Sequence, residues 1–231
     1  RFHFGRERQA TDAACRLRAR SWWGVEPGAR EAYLWGAPRE LSASDRVKRL
    51  RDRLVNHRLL NAFELRPAQM ARYLAELQRW RPASLYGYAS TLARFAEYLC
   101  DTDRRHPLPD LRVVCTTGET LEPAARHAIE AAFGVPVANE YGCRDGGLIA
   151  HEAPGGALLV MSEHVLVELL DEDGLPVPPG AVGEVTVTNL ASAAQPFIRY
   201  RTGDFARAST APDPDGRGLE VLDGIAGRST D

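Results

Sequence analysis

The feature that most constrains this chain is a change of rhythm past its middle. Up to about residue 141, short apolar runs alternate with helix-length amphipathic stretches. Beyond Pro154-Gly155-Gly156 only short runs follow, divided by turn residues such as Asp171-Glu172-Asp173-Gly174 and Pro178-Pro179-Gly180. Strands that alternate with helices imply parallel β-α-β units, and a parallel sheet needs helices over its faces. Strands divided by tight turns pair antiparallel. The sequence therefore predicts an α/β fold: a parallel sheet covered by helices, then an antiparallel, β-rich partial barrel. The first portion is expected over 1–155 and the second over 156–231.

Within this frame residues 6–20 read as a basic helix with Ala10, Ala13, Ala14 and Leu17 on one face. Ser42-Ala43-Ser44-Asp45 reads as a capping box ahead of Val47, Leu50 and Leu54. Further helices are predicted from Pro67 to before Pro82, from near Ser90, and from Pro123 to Gly134. Their inward residues are Met70, Leu74 and Leu77; Leu92, Phe95 and Leu99; and Ala125, Ile129, Ala132 and Phe133. Strands are predicted at Leu59–Leu65, Ala83–Tyr86, Leu111–Thr116 and Val135–Tyr141, then at Ala157–Met161, Val165–Leu170, Gly183–Leu190 and Phe197–Tyr200. Val185 and Val187 alternate with Glu184, Thr186 and Thr188, so one face of that strand is polar.

Composition narrows the function classes. A net charge of −2 over 231 residues gives no basic footprint for nucleic acid. No run approaches the roughly 18 apolar residues of a membrane span. The four cysteines, Cys15, Cys100, Cys115 and Cys143, are dispersed without a Cys-x-x-Cys pair. That argues against zinc and a disulfide scaffold and for reduced, cytoplasmic thiols. The chain starts at Arg1 without Met or an apolar leader and stops at Asp231, so both ends read as cut from a longer protein. His151 and His164 read as surface or capping groups, and Trp22 and Trp23 as packing residues.

Chemistry concentrates in a few polar segments. Thr116-Thr117-Gly118-Glu119-Thr120 follows a strand and precedes a helix, where ligands bind in open α/β sheets. Tyr141-Gly142-Cys143-Arg144-Asp145-Gly146-Gly147 offers a ring for stacking, a phosphate donor and a carboxylate able to hold Mg²⁺. In Arg199-Tyr200-Arg201-Thr202-Gly203-Asp204 a carboxylate able to accept from two neighbouring hydroxyls stands beside two guanidinium groups. That is either a ribose clamp or a strand ending in a turn with a solvated ion pair. Gly227-Arg228 closes the series.

These segments, in this order, resemble the signature series of the adenylate-forming enzymes: acyl-CoA synthetases, luciferases and peptide-synthetase adenylation domains. The stronger resemblance is to the phenylacetate–CoA ligase-like branch and its relatives linked to capsular polysaccharide synthesis. Leu85-Tyr86-Gly87-Tyr88-Ala89-Ser90 is similar to that branch's Gly-Tyr-x-Ser segment, and Tyr141–Gly147 to its Tyr-Gly-x-x-acid loop. The similarity runs from about Ser84 to Asp231; residues 1–83 match only loosely.

The resemblance implies the fold of that family's large domain and an ATP-dependent ligase that forms an acyl-adenylate, then an acyl-CoA thioester. It implies ATP, Mg²⁺ and coenzyme A beside a small aryl or fatty carboxylic acid, a C-terminal lid domain beyond Asp231, and room for a homodimer. Gly118, Glu119 and Thr120 would line the adenine and acyl pocket, with Tyr86, Gly87 and Tyr88 on the acid. Tyr141 would lie against adenine, with Gly142 giving the loop its bend. Arg144 and Asp145 form the catalytic pair, Arg144 toward the α-phosphate and Asp145 on Mg²⁺. Asp204 would accept the ribose hydroxyls, Arg199 and Arg201 shaping its turn, and Arg228 would contact ribose or phosphate. The chain departs from the family pattern where Arg144 replaces a Ser or Thr and Asp145 replaces a Glu. The family's early Ser/Thr/Gly-rich phosphate loop and its lid lysine have no counterpart in these residues, so the fragment alone is expected to turn over little. The alternatives are a binding module without chemistry, or transfer to a carrier-protein thiol or a hydroxyl.

Overall fold

A computed structural model describes residues 5–36, 52, 54–105 and 108–228. The predicted capping box Ser42–Asp45, most of the helix it would open, and the expected hinge residue Asp231 lie outside them. The chain forms two compact units: Trp23–Asn139, and a second unit that joins the residues up to Trp22 to those from Glu140 onward.

In the Trp23–Asn139 unit, β1 (Glu31–Trp35), β2 (His57–Asn61), β3 (Ser84–Tyr88) and β4 (Val113–Thr117) lie in the order β2-β1-β3-β4, and the pairs β2/β1, β1/β3 and β3/β4 are all parallel. Helices α2 (Pro67–Trp80), α3 (Ala89–Asp101) and α4 (Pro123–Phe133) follow β2, β3 and β4 in turn. The helices close one sheet face: Leu74, Leu77, Leu92, Phe95, Leu99, Ile129 and Phe133 pack with Leu34, Leu85 and Val114. Each such side chain contributes about 1.5–3 kcal/mol by leaving water. The alternate residues Tyr86, Val113 and Cys115 turn to the other face with Val25, Trp23, Tyr33 and Trp35. As predicted, α2 and α4 begin at their prolines, and Gly134 ends α4 in the left-handed conformation at φ 72°.

β1 was not expected. It is five residues long, opens on Glu31, and is surrounded by glycine and polar residues. Glu31 is tolerated at 4% exposure because Ser84 Oγ donates to Oε2 at 3.0 Å and His57 Nε2 stands 3.5 Å from Oε1. The strand predicted at Leu59–Leu65 sits earlier, because its partner β1 ends at Trp35 opposite Asn61.

In the other unit, the end of β5 (Val137–Cys143) pairs with β6 (Gly147–Glu152). β7 (Leu158–Val160), β11 (Val221–Arg228), β10 (Tyr200–Ala208), β9 (Val182–Asn189) and β8 (Val165–Leu170) continue the order, all antiparallel. α1 (Arg6–Ser21) lies on this sheet, with Cys15 and Ala19 joining Leu148, Val160, Val165, Val185 and Val187 in one core.

Four expectations are corrected here. The strand predicted at Phe197–Tyr200 starts at Tyr200 instead and runs through the Gly-Asp segment, because β10 bulges there and then resumes its ladder. The inward face of α1 is the reverse of that predicted. Arg8, Cys15 and Ala19 are buried, while Ala10, Ala13, Ala14 and Leu17 are exposed, since buried polar partners await the arginine side. His151 and His164 are fully buried rather than at the surface. His151 is covered within β6, its Nδ1 2.9 Å from the Glu152 carbonyl oxygen, and His164 meets Asp12. β6 was missed because Leu148 to His151 are buried in succession without alternation, and β11 because Gly224 and Gly227 interrupt its pattern.

All four cysteines are free. Among the described residues no helix is long and apolar enough to cross a membrane.

Gly87 gives a direct test of the packing. A Cβ there would stand 2.7 Å from the Leu34 carbonyl oxygen of β1, which is backbone and cannot swing aside. Gly87→Ala should therefore cost about 1–3 kcal/mol of stability, read as a lower urea midpoint at unchanged slope. An unchanged midpoint would refute the close β1–β3 approach.

Candidate functional site

The unit containing Glu140 onward gathers its polar motif residues around one carboxylate. The Tyr141–Gly147 segment is a β-hairpin: Cys143 pairs with Gly147 and Gly142 with Leu148, leaving Arg144, Asp145 and Gly146 as its loop. The close crossing explains two glycines. A Cβ on Gly142 would lie 2.5 Å from the Gly147 carbonyl oxygen, and Gly147 sits at φ 86°. Tyr141 Oη donates to Asp204 Oδ2 at 2.9 Å.

Asp204 reaches that position through the bulge in β10. Arg201 pairs with Thr186 and Phe205 with Glu184, so four residue steps on β10 face two on β9. The excess holds Thr202, Gly203 and Asp204, with Gly203 at φ 78°. The bulge is braced from inside: Thr202 Oγ1 donates to the Val185 carbonyl at 2.9 Å and accepts from Asp204 N at 3.1 Å. The excess of two keeps the alternation of faces and moves Asp204 along the strand relative to β9. On the opposite strand Asp204 registers with Arg228, whose Nε stands 3.0 Å from Asp204 Oδ1. Both oxygens of the carboxylate are therefore engaged, one by a phenol and one by a guanidinium.

Arg199 and Arg201 point elsewhere. Arg199 Nε lies 3.1 Å from Glu168 Oε2, and Arg201 pairs with Glu184. Asp145 is held by a residue the sequence reading had assigned no role: Tyr200 Oη donates to Asp145 Oδ2 at 2.7 Å. Alternation gave no signal for it, since Arg199 stands before β10 at φ 47° and Tyr200 is the first residue of the strand. Asp145 Oδ1 is buried and has no hydrogen-bond partner. The Arg144 side chain is exposed.

The other sequence-predicted residues lie in the Trp23–Asn139 unit. Gly118 is at φ 74°, and a Cβ on it would stand 3.3 Å from the Tyr88 ring. Tyr88 stacks on Trp35, ring centroids 4.1 Å apart and planes 17° from parallel. Tyr86 is buried against Tyr33 and Trp35 at 5.5 and 5.6 Å. Glu119 reaches back to the start of α3, accepting from Ser90 N at 2.8 Å and Ser90 Oγ at 3.0 Å. The residue preceding α3 supplies no side-chain cap, so Glu119 satisfies an orphan donor of its first turn. Gly118, Glu119 and Thr120 are all exposed.

The two site tyrosines titrate late. Burial and the neighbouring Asp204 push the Tyr141 phenol up, and the hydrogen bond to Asp145 pushes Tyr200 up to about 12. Both stay protonated donors at neutral pH. The unfolded chain releases these protons from its ordinary value of 10.0 upward, before the folded one does. Their stabilising contribution is thus complete below pH 10 and is lost as pH rises toward 12. A Tyr141→Phe/Tyr200→Phe variant should show a shallower loss of stability across that window in urea titrations. An identical slope would refute the two phenol–carboxylate bonds.

A family model described as AMP-binding enzyme matches residues 59–193, more than half of the chain. Protein CapK of Staphylococcus aureus is 25% identical over 150 residues, covering 65% of this chain and 32% of that protein. The phenylacetate-coenzyme A ligase of Aromatoleum evansii is 33% identical over 127 residues, covering 52% of this chain and 28% of that one. The chain thus spans about a third or less of the length of these relatives. Among solved structures, an open conformation of 2-hydroxyisobutyryl-CoA ligase in complex with 2-HIB-AMP and CoA superposes with a TM-score of 0.80 at 22% identity, over 98% of this chain and 51% of that one. The anthranilate CoA ligase AuaEII in complex with anthranoyl-AMP gives 0.64 at 21% identity, over 96% and 43%. Likeness at that identity is likeness of fold.

Proposed function

Because this chain belongs to the AMP-binding enzyme family, and its Tyr141, Asp204 and Arg228 meet at one carboxylate, we propose that the whole protein is an ATP-dependent ligase that activates a carboxylic acid. The meeting of those three residues, from three strands, is the observation that carries the reading. In the reaction a carboxylate oxygen of the acid attacks the α-phosphorus of ATP. The bond to pyrophosphate breaks, and the acyl-adenylate remains. A thiol, in our reading that of coenzyme A, then attacks the acyl carbon and expels AMP.

Each residue has a part consistent with its surroundings. Asp204 exchanges its present partners for the ribose hydroxyls, since a carboxylate accepts from two neighbouring donors. Tyr141 lies against the adenine, and Arg228, released from Asp204, turns to ribose or phosphate. Arg144, exposed at the hairpin tip, adds positive charge beside the α-phosphate. Glu119 positions the Gly118 turn through Ser90, and Tyr86, Gly87 and Tyr88 bear on the acid.

Mg²⁺ fits one point of this arrangement. Asp145 Oδ1 is a buried carboxylate oxygen without a donor. No group of three or more metal-ligating side chains occurs among the described residues. A single protein carboxylate combined with substrate phosphates is a usual magnesium environment. Asp145 would hold the ion, which would neutralise charge on the departing pyrophosphate. Tyr200 fixes the other oxygen and so orients this carboxylate, which is one methylene shorter than Glu.

A second reading, nucleotide binding without chemistry, is favoured by Arg144 in place of a hydroxyl residue. Pyrophosphate release by the full-length protein, measured with ATP and a panel of aryl and fatty acids, separates the two. We expect release with at least one acid. Hydrogen bonds to a charged acceptor are worth about 1.5–3 kcal/mol, so Asp204→Ala should raise the KM for ATP about tenfold or more. No release with any acid, while calorimetry still detects ATP binding, would favour the binding module. Absence of both would overturn the nucleotide reading.

A further inference from the structure

The Arg144–Leu148 backbone is held from outside the hairpin by side chains that the proposed chemistry does not use. Arg8 of α1 is 1% exposed, and its Nη2 donates to the Arg144 carbonyl at 2.9 Å. Its guanidinium lies over the Phe197 ring at 5.5 Å, and its Nη1 is 3.5 Å from Ser192 Oγ. One helical turn on, Asp12 Oδ1 accepts from Leu148 N at 3.2 Å and from His164 Nε2 at 2.8 Å. Asn189 Nδ2 donates to the Gly146 carbonyl at 2.8 Å. The backbone on both sides of Asp145 is therefore tied, at Arg144 O, Gly146 O and Leu148 N.

Proton bookkeeping makes the arrangement definite. Asn189 Oδ1 accepts from Ala191 N at 3.0 Å, which orients its amide and leaves Nδ2 facing Gly146. An ionised carboxylate only accepts, so His164 presents Nε2–H to Asp12. The 3.2 Å approach of Asn189 Nδ2 to the same ring nitrogen is then a contact between two donors. Burial raises the Asp12 carboxyl, but the hydrogen bonds from His164 and Leu148 more than offset this and hold it below its ordinary range. Gly147 is squeezed into the same place: a Cβ there would stand 2.7 Å from Asp12 Oδ1 and 2.9 Å from His164 Nε2.

We infer that Arg8, Asp12, His164 and Asn189 are positioning residues that lock the Asp145 hairpin in the geometry nucleotide binding requires. This rests on the ATP-site reading proposed above. A hairpin tip with two consecutive glycines has little rigidity of its own, and a group displaced by about 1 Å at a reacting centre can lose about a hundredfold in rate. The burial of an arginine in α1, while four apolar residues of that helix face outward, follows from the same purpose. The side bearing Arg8 is the one that meets the Arg144 carbonyl.

The test uses Asp12→Ala, Asp12→Asn and Arg8→Met in the full-length protein. Hydrogen exchange of the 143–148 segment, without nucleotide, is expected to quicken about tenfold or more in Asp12→Ala and Arg8→Met. Calorimetric Kd for ATP with Mg²⁺ and the KM for ATP should rise about tenfold, the usual cost of losing an outer supporting partner, while the KM for the acid stays within about twofold. Asp12→Asn keeps an oxygen for both hydrogen bonds and should recover both readouts. If Asp12→Ala fails to fold, Arg8→Met and Asp12→Asn still decide. Unchanged exchange and unchanged ATP affinity in a folded variant, or an Asp12→Asn as impaired as Asp12→Ala, would overturn the inference. Wild-type protein that binds no ATP would overturn the reading beneath it, which is a separate outcome.

Discussion

The Asp204 carboxylate is the constraint on which the polar half of this protein depends. It receives a phenol from β5 and a guanidinium from β11, and it stands there because β10 carries more residues than its partner through the Thr202–Asp204 bulge. The excess is an even two residues, so the alternation of faces is kept and the bulge shifts Asp204 along the sheet, opposite Arg228. Thr202 braces the bulge by bonding both the neighbouring strand and Asp204 itself. Gly203, at φ 78°, takes a conformation open to glycine, with ladder pairs on either side of it. The protein tolerates an interrupted sheet in order to aim one carboxylate.

The second polar feature, the hairpin at Arg144–Gly146, is built on the opposite principle. Its own ladder is short, and its loop backbone is satisfied by side chains from α1 and β9. Buried polar groups need partners, and here they come from sequence positions more than 130 residues away in the case of Arg8 and Asp12. This accounts for the inverted amphipathicity of α1. Hydrophobic periodicity assumes that the apolar stripe faces inward. In α1 the interior it meets includes the Arg144 carbonyl, the Leu148 amide and His164, so the stripe with Arg8 and Asp12 docks instead.

Legibility followed the locality of the cause. The start of α4 at Pro123 and its end at Gly134 were readable because a fixed φ and a left-handed glycine act on their own residues. The parallel order of β3 and β4 and the helix between them followed from spacing alone. The motif segments at Gly118, Tyr141, Asp204 and Arg228 were readable as residue types suited to a nucleotide. β1 was not readable: its buried first residue Glu31 is satisfied by Ser84, which donates to it from 53 positions away. Nor was the true start of β10, since a strand that resumes after a bulge looks like a strand followed by a turn.

The sequence by itself determined the class of fold, the helix boundaries and the ordered motifs of the AMP-binding enzyme family. These depend on local conformational preference and on the periods of helix and strand, which are properties of neighbouring residues. Only the tertiary structure decided which atoms those motifs touch: Tyr141 and Arg228 on Asp204, Tyr200 on Asp145, Glu119 on Ser90, and Arg8 on the Arg144 carbonyl. The physical reason is that register, bulges and the burial of polar groups are settled by long-range pairing. A hydrogen bond between distant residues leaves no periodic trace in either segment.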